Sequence, residues 1–592
     1  MSFIDKLSSN VIARYLAAAI LLVSPLLSYP LVWGKIVDNF VPLWGDVECL
    51  TLGEIAMLAA AFIILFPEKI INALQEKKHQ YYFFITCGVV ILLILLQQII
   101  YGGSWNLVSL ALFYVTVPAA GFALSREIKK LAKYYFAILF IILVYFSFIG
   151  DKTFLTGFVG NWNWNLSLIA AAIPSVFLLF KLPIKLFYLL SSCSLAGFFV
   201  FVYFWNSVIM PKGTIAGAIG AVLGIVIISI IKTPKRHLAV VFMFAALAIG
   251  FLSFLFSKNG TTSTDTRVQL WQGALSSGLT QTYMGHGPGR FESKVKPFIP
   301  EEYYFTEFVA ERHPHPHNEF LYYLCSFGLV GIIFLYLLTS NALYTSNIKS
   351  KNQTWMLFVV LMFIIHGQFD ILLSTPLAGT IFLLFAGSLA NKGYQDKEIG
   401  SLSVRYILFL IVVSYTVYCA SLNYFSTKYL RLGRLNLVKN QKALAKVNFA
   451  KSLTYKLTSA ALYSAGAIEL FDYKNPVKAI ELLDKIHHQL KLDSYVHSRG
   501  YVARAKFVTG QHKAALLDFE LEEKNYPLSA LNSGFIFMVR QALKFSPESL
   551  AFSFKKFEYL MSLRGLKVNE FSKLQRNPVW DDLPFSKVKE QK

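Results

Sequence analysis

Three histidines separated by prolines stand directly before an apolar segment in the stretch HPHPHNEFLYYLCSFGLVG, residues 313–331. The prolines at positions 314 and 316 exclude helix there and hold His313 and His315 in extended backbone, because a residue that precedes proline is pushed out of the α region. Imidazole is the side chain whose unperturbed pKa suits proton transfer near neutral pH. The cluster is therefore a candidate site for acid–base chemistry.

A helix is predicted to start at Glu319, and Asn318 is a favourable N-cap residue for it. His317 immediately precedes this N-cap residue. Three interpretations of the histidines stay open from residue types and spacing alone. One is a general base or a group that orients a substrate, the second is a zinc or copper site, and the third is a set of hydrogen bonds at the membrane surface. No neighbouring cysteine completes a familiar ligand set, and a polyproline-like strand does not point alternate side chains the same way, which weighs against the metal.

Basic residues near the same surface could bind a phosphate or pyrophosphate. Lys212 lies in MPKGTIAG at the start of an apolar segment, and Arg267, Arg290 and Arg312 lie in a long loop, residues 257–318. Arginine is suited to this task because its guanidinium donates two parallel hydrogen bonds to phosphate oxygens. For each residue taken singly, a lipid headgroup contact or a solvated charge is the plainer alternative.

A second polar pair lies near the end of another apolar segment. His366 and Asp370, in FIIHGQFDILLSTPL, are four residues apart and are predicted to share one helix face. Ionisable residues within a membrane span are functional candidates. The alternative is a mutual hydrogen bond that stabilises the end of the span.

The elements that must position these residues are membrane helices. Of the 592 residues, 55% are hydrophobic and 16% are aromatic, and the mean hydropathy is +0.51. Apolar runs of roughly 18–22 residues recur, each long enough to cross the bilayer as a helix. The sequence predicts an all-α polytopic membrane protein with about thirteen spans, of which the first is a retained anchor. The predicted spans lie near residues 11–30, 49–66, 82–102, 106–124, 132–150, 164–180, 186–205, 214–231, 238–256, 319–340, 354–373, 375–391 and 405–423.

Charge along the chain predicts the orientation. The net charge is +22, and every second connecting loop is basic, which by the positive-inside rule places the N-terminus in the cytoplasm. This pattern places the loop 257–318 and the polar region 424–592 outside, and it explains the basic charge without a nucleic acid partner. The five cysteines lie in or beside apolar runs without CxxC spacing, so neither a disulfide framework nor a metal site is expected from them.

The C-terminal region shows a faint repeat. NQKALAKVNFAKSL (440–453), NPVKAIELLDKI (475–486) and GQHKAALLDFEL (510–521) share a Lys-Ala-x-x-hydrophobic core with lysines at 442, 478 and 513. The spacing is close to the tetratricopeptide period of ~34 residues. Such a stack would offer a concave face to a protein partner, and the alternative is an ordinary helical bundle. The predicted domains are therefore 1–423, in the membrane and including the loop 257–318, and 424–592, a helical repeat domain.

The motif His317-Asn318, nine residues, Gly328, two residues, Gly331 resembles the signature of the O-antigen ligase superfamily, which also contains Wzy-type polymerases and bacterial O-oligosaccharyltransferases. TRVQLWQGAL…MGHGPGRF in the loop and GNWNWNLSL (160–168) resemble two further patterns of that superfamily. HPHNE is similar to the form found in the protein O-oligosaccharyltransferase branch, whose members often carry a helical-repeat tail. The resemblance covers roughly residues 150–391, and Lys212 stands where the family usually has arginine.

This resemblance implies a GT-C-like fold in the bacterial inner membrane and transfer of a glycan from an undecaprenyl-pyrophosphate carrier to an acceptor hydroxyl, on lipid A-core or protein, at the periplasmic face. Neither a metal nor a cofactor is expected. In this interpretation His317 is the catalytic residue, Arg267, Lys212 and Arg312 bind the donor pyrophosphate, and the supporting residues are His313, His315, Asn318, Glu319, His366 and Asp370. The alternatives are a polymerase of the same superfamily, a transporter of lipid-linked glycan, and an assembly protein that acts through its C-terminal repeats.

Overall fold

A computed structural model describes residues 11–28, 46–67, 105–149, 162–205, 212–230, 262–287, 291–299, 315–391, 402–490, 497–526, 529–562 and 566–574, with short pieces between 70 and 96. Throughout these residues the regular structure is helical, so the predicted all-α class is confirmed for the described part of the chain. The helices before the C-terminal region are α1 Val11–Val23, α2 Asp46–Leu65, α3 Trp105–Ala123, α4 Ser125–Ile149, α5 Trp162–Phe177, α6 Ile184–Trp205, α7 Lys212–Ile230, α8 Thr262–Thr280, α9 Phe291–Val295, α10 Glu319–Thr345, α11 Lys351–His366, α12 Pro376–Ala390 and α13 Leu402–Val438.

Among the described residues, four helices are long and apolar enough to cross a membrane, and they lie at Ser125–Ser147, Ile184–Phe204, Glu319–Thr345 and Arg405–Leu437. Several shorter apolar helices accompany them, so the protein is a helical membrane protein. Most of the predicted span 82–102 and all of the span 238–256 lie outside the described residues. The total of thirteen spans stays a prediction.

Two helices form the centre of the membrane part. Every residue of α12, and every residue of α11 from Thr354 onward, is buried. Helices α3 and α10 pack on α12, and helices α5 and α7 pack on α11. Helices that are apolar on all sides are suited to such a position. The turn that joins α11 to α12, residues 367–375, therefore lies at one end of the most enclosed pair of helices.

Helix α13 runs without interruption through the predicted domain boundary at residue 423. Beyond it come α14 Lys442–Tyr455, α15 Ser459–Phe471, α16 Pro476–His488, α17 Ser498–Val508, α18 His512–Asn525, α19 Ala530–Ala542 and α20 Pro547–Ser562. These helices have hydrophobic clusters of their own, separate from the large cluster of the membrane part.

Left-handed residues mark a regular period in the C-terminal helices. Asn440, Lys474, Gly510 and Lys544 all have positive φ, between 52° and 79°, at intervals of 34, 36 and 34 residues. Each one ends a helix, and the residue after it returns a backbone hydrogen bond into that helix, for example Gln511 N to Lys506 O at 2.9 Å. The chain thus repeats a pair of helices with a constant cap between pairs.

The structural register of this repeat differs from the lysine register of the sequence. Five residues after each of the first three caps stands a fully buried alanine, at 445, 479 and 515, whereas the lysines at 442, 478 and 513 fall at unequal distances from the caps. A fourth unit, which starts after Lys544, lacks the Lys-Ala pair and was not predicted. Assignment of the stack to the tetratricopeptide class stays a prediction.

A break in helix α10 joins the long loop to the membrane part. Gly328 has φ 64° and ψ −157°, so the helix is interrupted there. The turn after α8 fills the break: His286 N donates to Cys325 O at 2.7 Å, Gly287 N donates to Ser326 O at 3.0 Å, and Leu329 N donates to Thr282 O at 2.7 Å. The first glycine of the His-Asn-x9-GxxG motif therefore lets loop backbone replace helix backbone as hydrogen-bond partner.

We expect Gly328→Ala to destabilise the protein by at least about 2 kcal/mol, because the φ and ψ of this residue are accessible almost only to glycine. A Cβ there would also lie 2.5 Å from the carbonyl carbon of Tyr283. Gly197→Ala is the control, since a Cβ at this glycine within α6 would meet nothing within 4 Å. Thermal unfolding of the purified protein in detergent measures both, and equal transitions for the two variants would contradict the role assigned to Gly328.

Candidate functional site

The predicted span 354–373 is shorter than expected, because helix α11 ends at His366 and residues 367–375 form a turn. The prediction that His366 and Asp370 share one helix face is therefore wrong, because Asp370 lies beyond the end of the helix. The apolar residues that follow Asp370 are buried in the protein, so hydropathy did not reveal the end of the helix. This turn brings together most of the candidate residues that the structure describes.

His317 lies beside the turn in an unusual backbone conformation. Its φ is 50°, in the left-handed region, and its Nδ1 lies 3.2 Å from Oδ1 of Asp370. The His317 side chain is 38% exposed and that of Asp370 is 3% exposed. The pair therefore has a buried carboxylate on one side and an accessible imidazole on the other.

Asp370 is held as a carboxylate. Its Oδ1 also accepts from Ile371 N at 2.8 Å, and its Oδ2 accepts from Nδ2 of Asn163 at 3.3 Å. Burial by itself would raise the pKa of Asp370, but the hydrogen bond from His317 and the electrostatic interaction with the nearby imidazoles lower this pKa below its ordinary value. An ionised Asp370 makes Nδ1 of His317 the protonated nitrogen and leaves Nε2 as the acceptor.

Three hydrogen bonds hold the backbone on both sides of His317. Nε1 of Trp271 donates to Pro316 O at 2.6 Å, Nδ2 of Asn318 donates to Gln368 O at 2.9 Å, and Glu319 N donates to Gly367 O at 2.6 Å. A non-glycine residue with positive φ persists only where its surroundings fix it. These bonds are what fixes His317.

Asn318 is the N-cap of helix α10 as predicted, since its side chain accepts from Leu321 N at 3.0 Å. Glu319 is fully buried, and its carboxyl oxygens accept from the backbone N and the hydroxyl of Ser374, both at 3.0 Å. Glu319 thus ties the start of α10 to the far end of the turn.

His366 is buried and belongs to a hydrogen-bond chain that runs through Ser167 and Thr214 to the backbone oxygen of Asn163. Its Nδ1 lies 2.5 Å from Oγ of Ser167, and that hydroxyl lies 2.7 Å from Oγ1 of Thr214. In place of the mutual bond with Asp370 that was one of the two alternatives, these bonds link helices α5, α7 and α11. The position of Asn163 one turn before Ser167 places two residues of α5 against the site.

The structure describes some of the candidate basic residues and leaves others outside the described part of the chain. Arg267 on α8 donates from Nη1 to Phe369 O at 3.1 Å, next to Asp370. A Cβ at Gly213 would lie 3.2 Å from Cβ of Phe369, so the start of α7, where Lys212 stands, packs beside the same turn. The side chain of Lys212 lies outside the described part of the chain, as do Arg290, Arg312 and His313.

His315 packs against His317, with ring centroids 4.4 Å apart and an angle of 80° between the rings. A polyproline-like strand would not point these alternate side chains the same way. His317 departs from such a strand, since its φ of 50° lies in the left-handed region. The His315 ring therefore covers one side of the His317 ring.

In the described part of the chain, fold and site together define a helical membrane protein with an imidazole–carboxylate pair at the end of its central helices. Residues 208–336 match the family model for O-Antigen ligase. No curated protein matches the chain. The family match confirms the resemblance to the O-antigen ligase superfamily, and it contains Lys212, Arg267 and His317, while Asp370 lies beyond it.

Sequence reasoning singled out neither Asn163 nor Phe369, although both contact the candidate residues. Asn163 stands in the GNWNWNLSL stretch that resembles a family pattern, which was a usable signal. Phe369 contributes only its backbone carbonyl, and residue type carries no information on such a contact.

We expect Trp271→Phe to loosen the backbone around His317, because phenylalanine lacks the indole N–H and leaves Pro316 O without this donor. Trp355→Phe is the control, since Nε1 of Trp355 donates to Ala171 O at 2.9 Å away from the turn. Each change should lower stability by about 1–3 kcal/mol. Only Trp271→Phe should raise amide deuterium exchange in residues 317–322; equal exchange in the two variants would contradict the assigned role.

Proposed function

We propose that the protein transfers a glycan from an undecaprenyl-pyrophosphate carrier to an acceptor hydroxyl at the periplasmic face of the inner membrane. The observation that carries the proposal is the His317–Asp370 pair, whose histidine belongs to the His-Asn-x9-GxxG motif within the O-antigen ligase match. The family match itself supports a ligase-type or polymerase-type membrane enzyme.

His317 acts as the general base in this proposal. With Nδ1 bound to Asp370, Nε2 of the accessible ring takes the proton of the acceptor hydroxyl. The acceptor oxygen forms a bond to the anomeric carbon of the sugar, while the bond between that carbon and the phosphate oxygen breaks. Asp370 stabilises the imidazolium that results, as a carboxylate next to a histidine does in hydrolases.

The leaving group is a lipid pyrophosphate, which gains negative charge as the bond breaks. Arg267 is placed to stabilise this charge, because one guanidinium nitrogen is tied to the turn beside Asp370 and the others make no hydrogen bond to the residues that the structure describes. Lys212 and Arg312 are the further cations of this proposal. With fixed cations in place, the reaction is proposed to need no metal.

The charge alternation along the chain supports the orientation, with the N-terminus in the cytoplasm and both the loop 257–318 and the region 424–592 in the periplasm. The proposed domains are 1–423 for catalysis and 424–592 for contact with a protein partner. The acceptor is lipid A-core or protein in a ligase reaction, and a growing polysaccharide in a polymerase reaction. Mass spectrometry of surface glycans and glycoproteins from cells with and without the gene separates these products.

We expect His317→Ala to lower transfer by about 10²–10⁴-fold, the usual contribution of a general base, with normal folding and membrane insertion. His488→Ala is the control, because this exposed histidine lies at the end of α16 in the C-terminal helices. Transfer is measured with purified protein and lipid-linked glycan. Normal transfer by His317→Ala would refute the catalytic assignment, and lipid-linked donor that accumulates inside rather than outside the membrane of a deletion strain would favour a transporter.

A further inference from the structure

A buried lysine of the long loop contacts a buried tyrosine of the C-terminal helices. Nζ of Lys296 lies 3.7 Å from the centre of the Tyr526 ring, and Lys296 and Tyr526 are 5% and 4% exposed. Lysine is rarely buried unless its charge is compensated. A cation over an aromatic face is one such compensation, and it is strongest where water is excluded.

On the C-terminal side, the tyrosine belongs to a linked set of side chains. The ring of His497 lies against the Tyr526 ring, with centroids 4.4 Å apart, and Nδ1 of His497 lies 3.3 Å from Oε1 of Glu522. Glu522 is fully buried in helix α18. The lysine of the loop therefore faces a cluster that ends in a buried carboxylate, which is a favourable charge arrangement.

On the loop side, the lysine begins a short 3-10 helix, Lys296–Phe298, that packs on α8. The packing is close, since a Cβ at Gly273 of α8 would lie 3.1 Å from Phe298 O and 3.1 Å from Cγ1 of Ile299. Gly273 is two residues from Trp271, whose indole N–H holds Pro316 O. A continuous set of contacts thus runs from Tyr526 to the residue before His317.

We propose that Lys296 and Tyr526 are positioning residues of the transfer reaction, through which the C-terminal helices hold α8 and the backbone of His317 in place. Neither residue touches the reacting atoms; each acts through α8, which carries both Arg267 and Trp271. The kinetic part of this inference rests on the proposed function, and the structural part does not. The C-terminal helices are then a required support of the site and not only a surface for a partner.

The test compares variants of the full-length protein in detergent. Lys296→Met removes the charge at similar length, and Lys296→Arg keeps a cation over the ring. Lys446→Met is the control, because Nζ of Lys446 lies 4.1 Å from the Tyr473 ring and 2.7 Å from Oε1 of Glu469, contacts that lie entirely within the C-terminal region. Since loss of a buried lysine can disturb folding, Tyr526→Leu and Tyr526→Phe form a second pair that removes or keeps the ring.

Two readouts are taken, amide deuterium exchange in residues 317–322 and the kinetics of transfer. Lys296→Met and Tyr526→Leu should raise exchange several-fold and lower kcat about 5- to 30-fold, as expected for loss of a desolvated cation–π contact. The acceptor KM should change little, Lys296→Arg and Tyr526→Phe should restore both readouts, and Lys446→Met should match the unmodified protein. In the double variant Lys296→Met/Tyr526→Leu the two losses should not add.

Unchanged exchange in both Lys296→Met and Tyr526→Leu would overturn the inference whatever the kinetics show. Equal effects of Lys296→Met and Lys446→Met would overturn it as well, since they would indicate a general loss of stability. If the unmodified protein transfers no glycan, the proposed function fails, and the exchange measurement still decides whether the C-terminal helices position the His317 segment.

Discussion

The hydrogen bond between Nδ1 of His317 and Oδ1 of Asp370 is the constraint on which the site depends. It joins an accessible imidazole to a buried carboxylate across 53 residues of sequence, and it needs two segments in fixed relative positions. One segment enters helix α10, and the other is the turn between the two central helices α11 and α12. Because those helices are enclosed by protein, the turn is a rigid reference for everything placed against it.

The strained backbone of His317 shows how that position is maintained. A left-handed histidine is unfavourable by itself, and the chain fixes it with hydrogen bonds from α8, from the N-cap and from the first residue of α10. The break at Gly328 serves the same end, because it docks the turn after α8 onto α10. Helix α8 is therefore bonded on both sides of the site, which is why a contact far away at Lys296 can influence His317.

The sequence predicted the features that depend on neighbouring residues. The N-cap at Asn318, the start of α10 and the all-α class follow from local preferences, and the structure confirms them. The end of α11 at His366 was missed because apolar residues continue on both sides of the turn, and burial in protein looks the same as burial in lipid. The partnership of His317 with Asp370 is a long-range contact that no local pattern contains. In the C-terminal helices the lysines were the visible repeat, whereas the buried alanines and left-handed caps are the structural one.

The central claim is that Asp370 makes His317 an effective base, because it holds the ring in position and stabilises the positive charge that the ring gains with the proton. Asp370→Asn tests it most directly, since the amide keeps the size and shape of the carboxyl group while it removes the negative charge and replaces one acceptor oxygen by an NH2 donor. The account predicts a fall in kcat of about 10²-fold with little change in donor KM, because Arg267 contacts the backbone of the turn and not the Asp370 side chain. A kcat within about twofold of that of the unmodified protein, at equal thermal stability, would contradict the account.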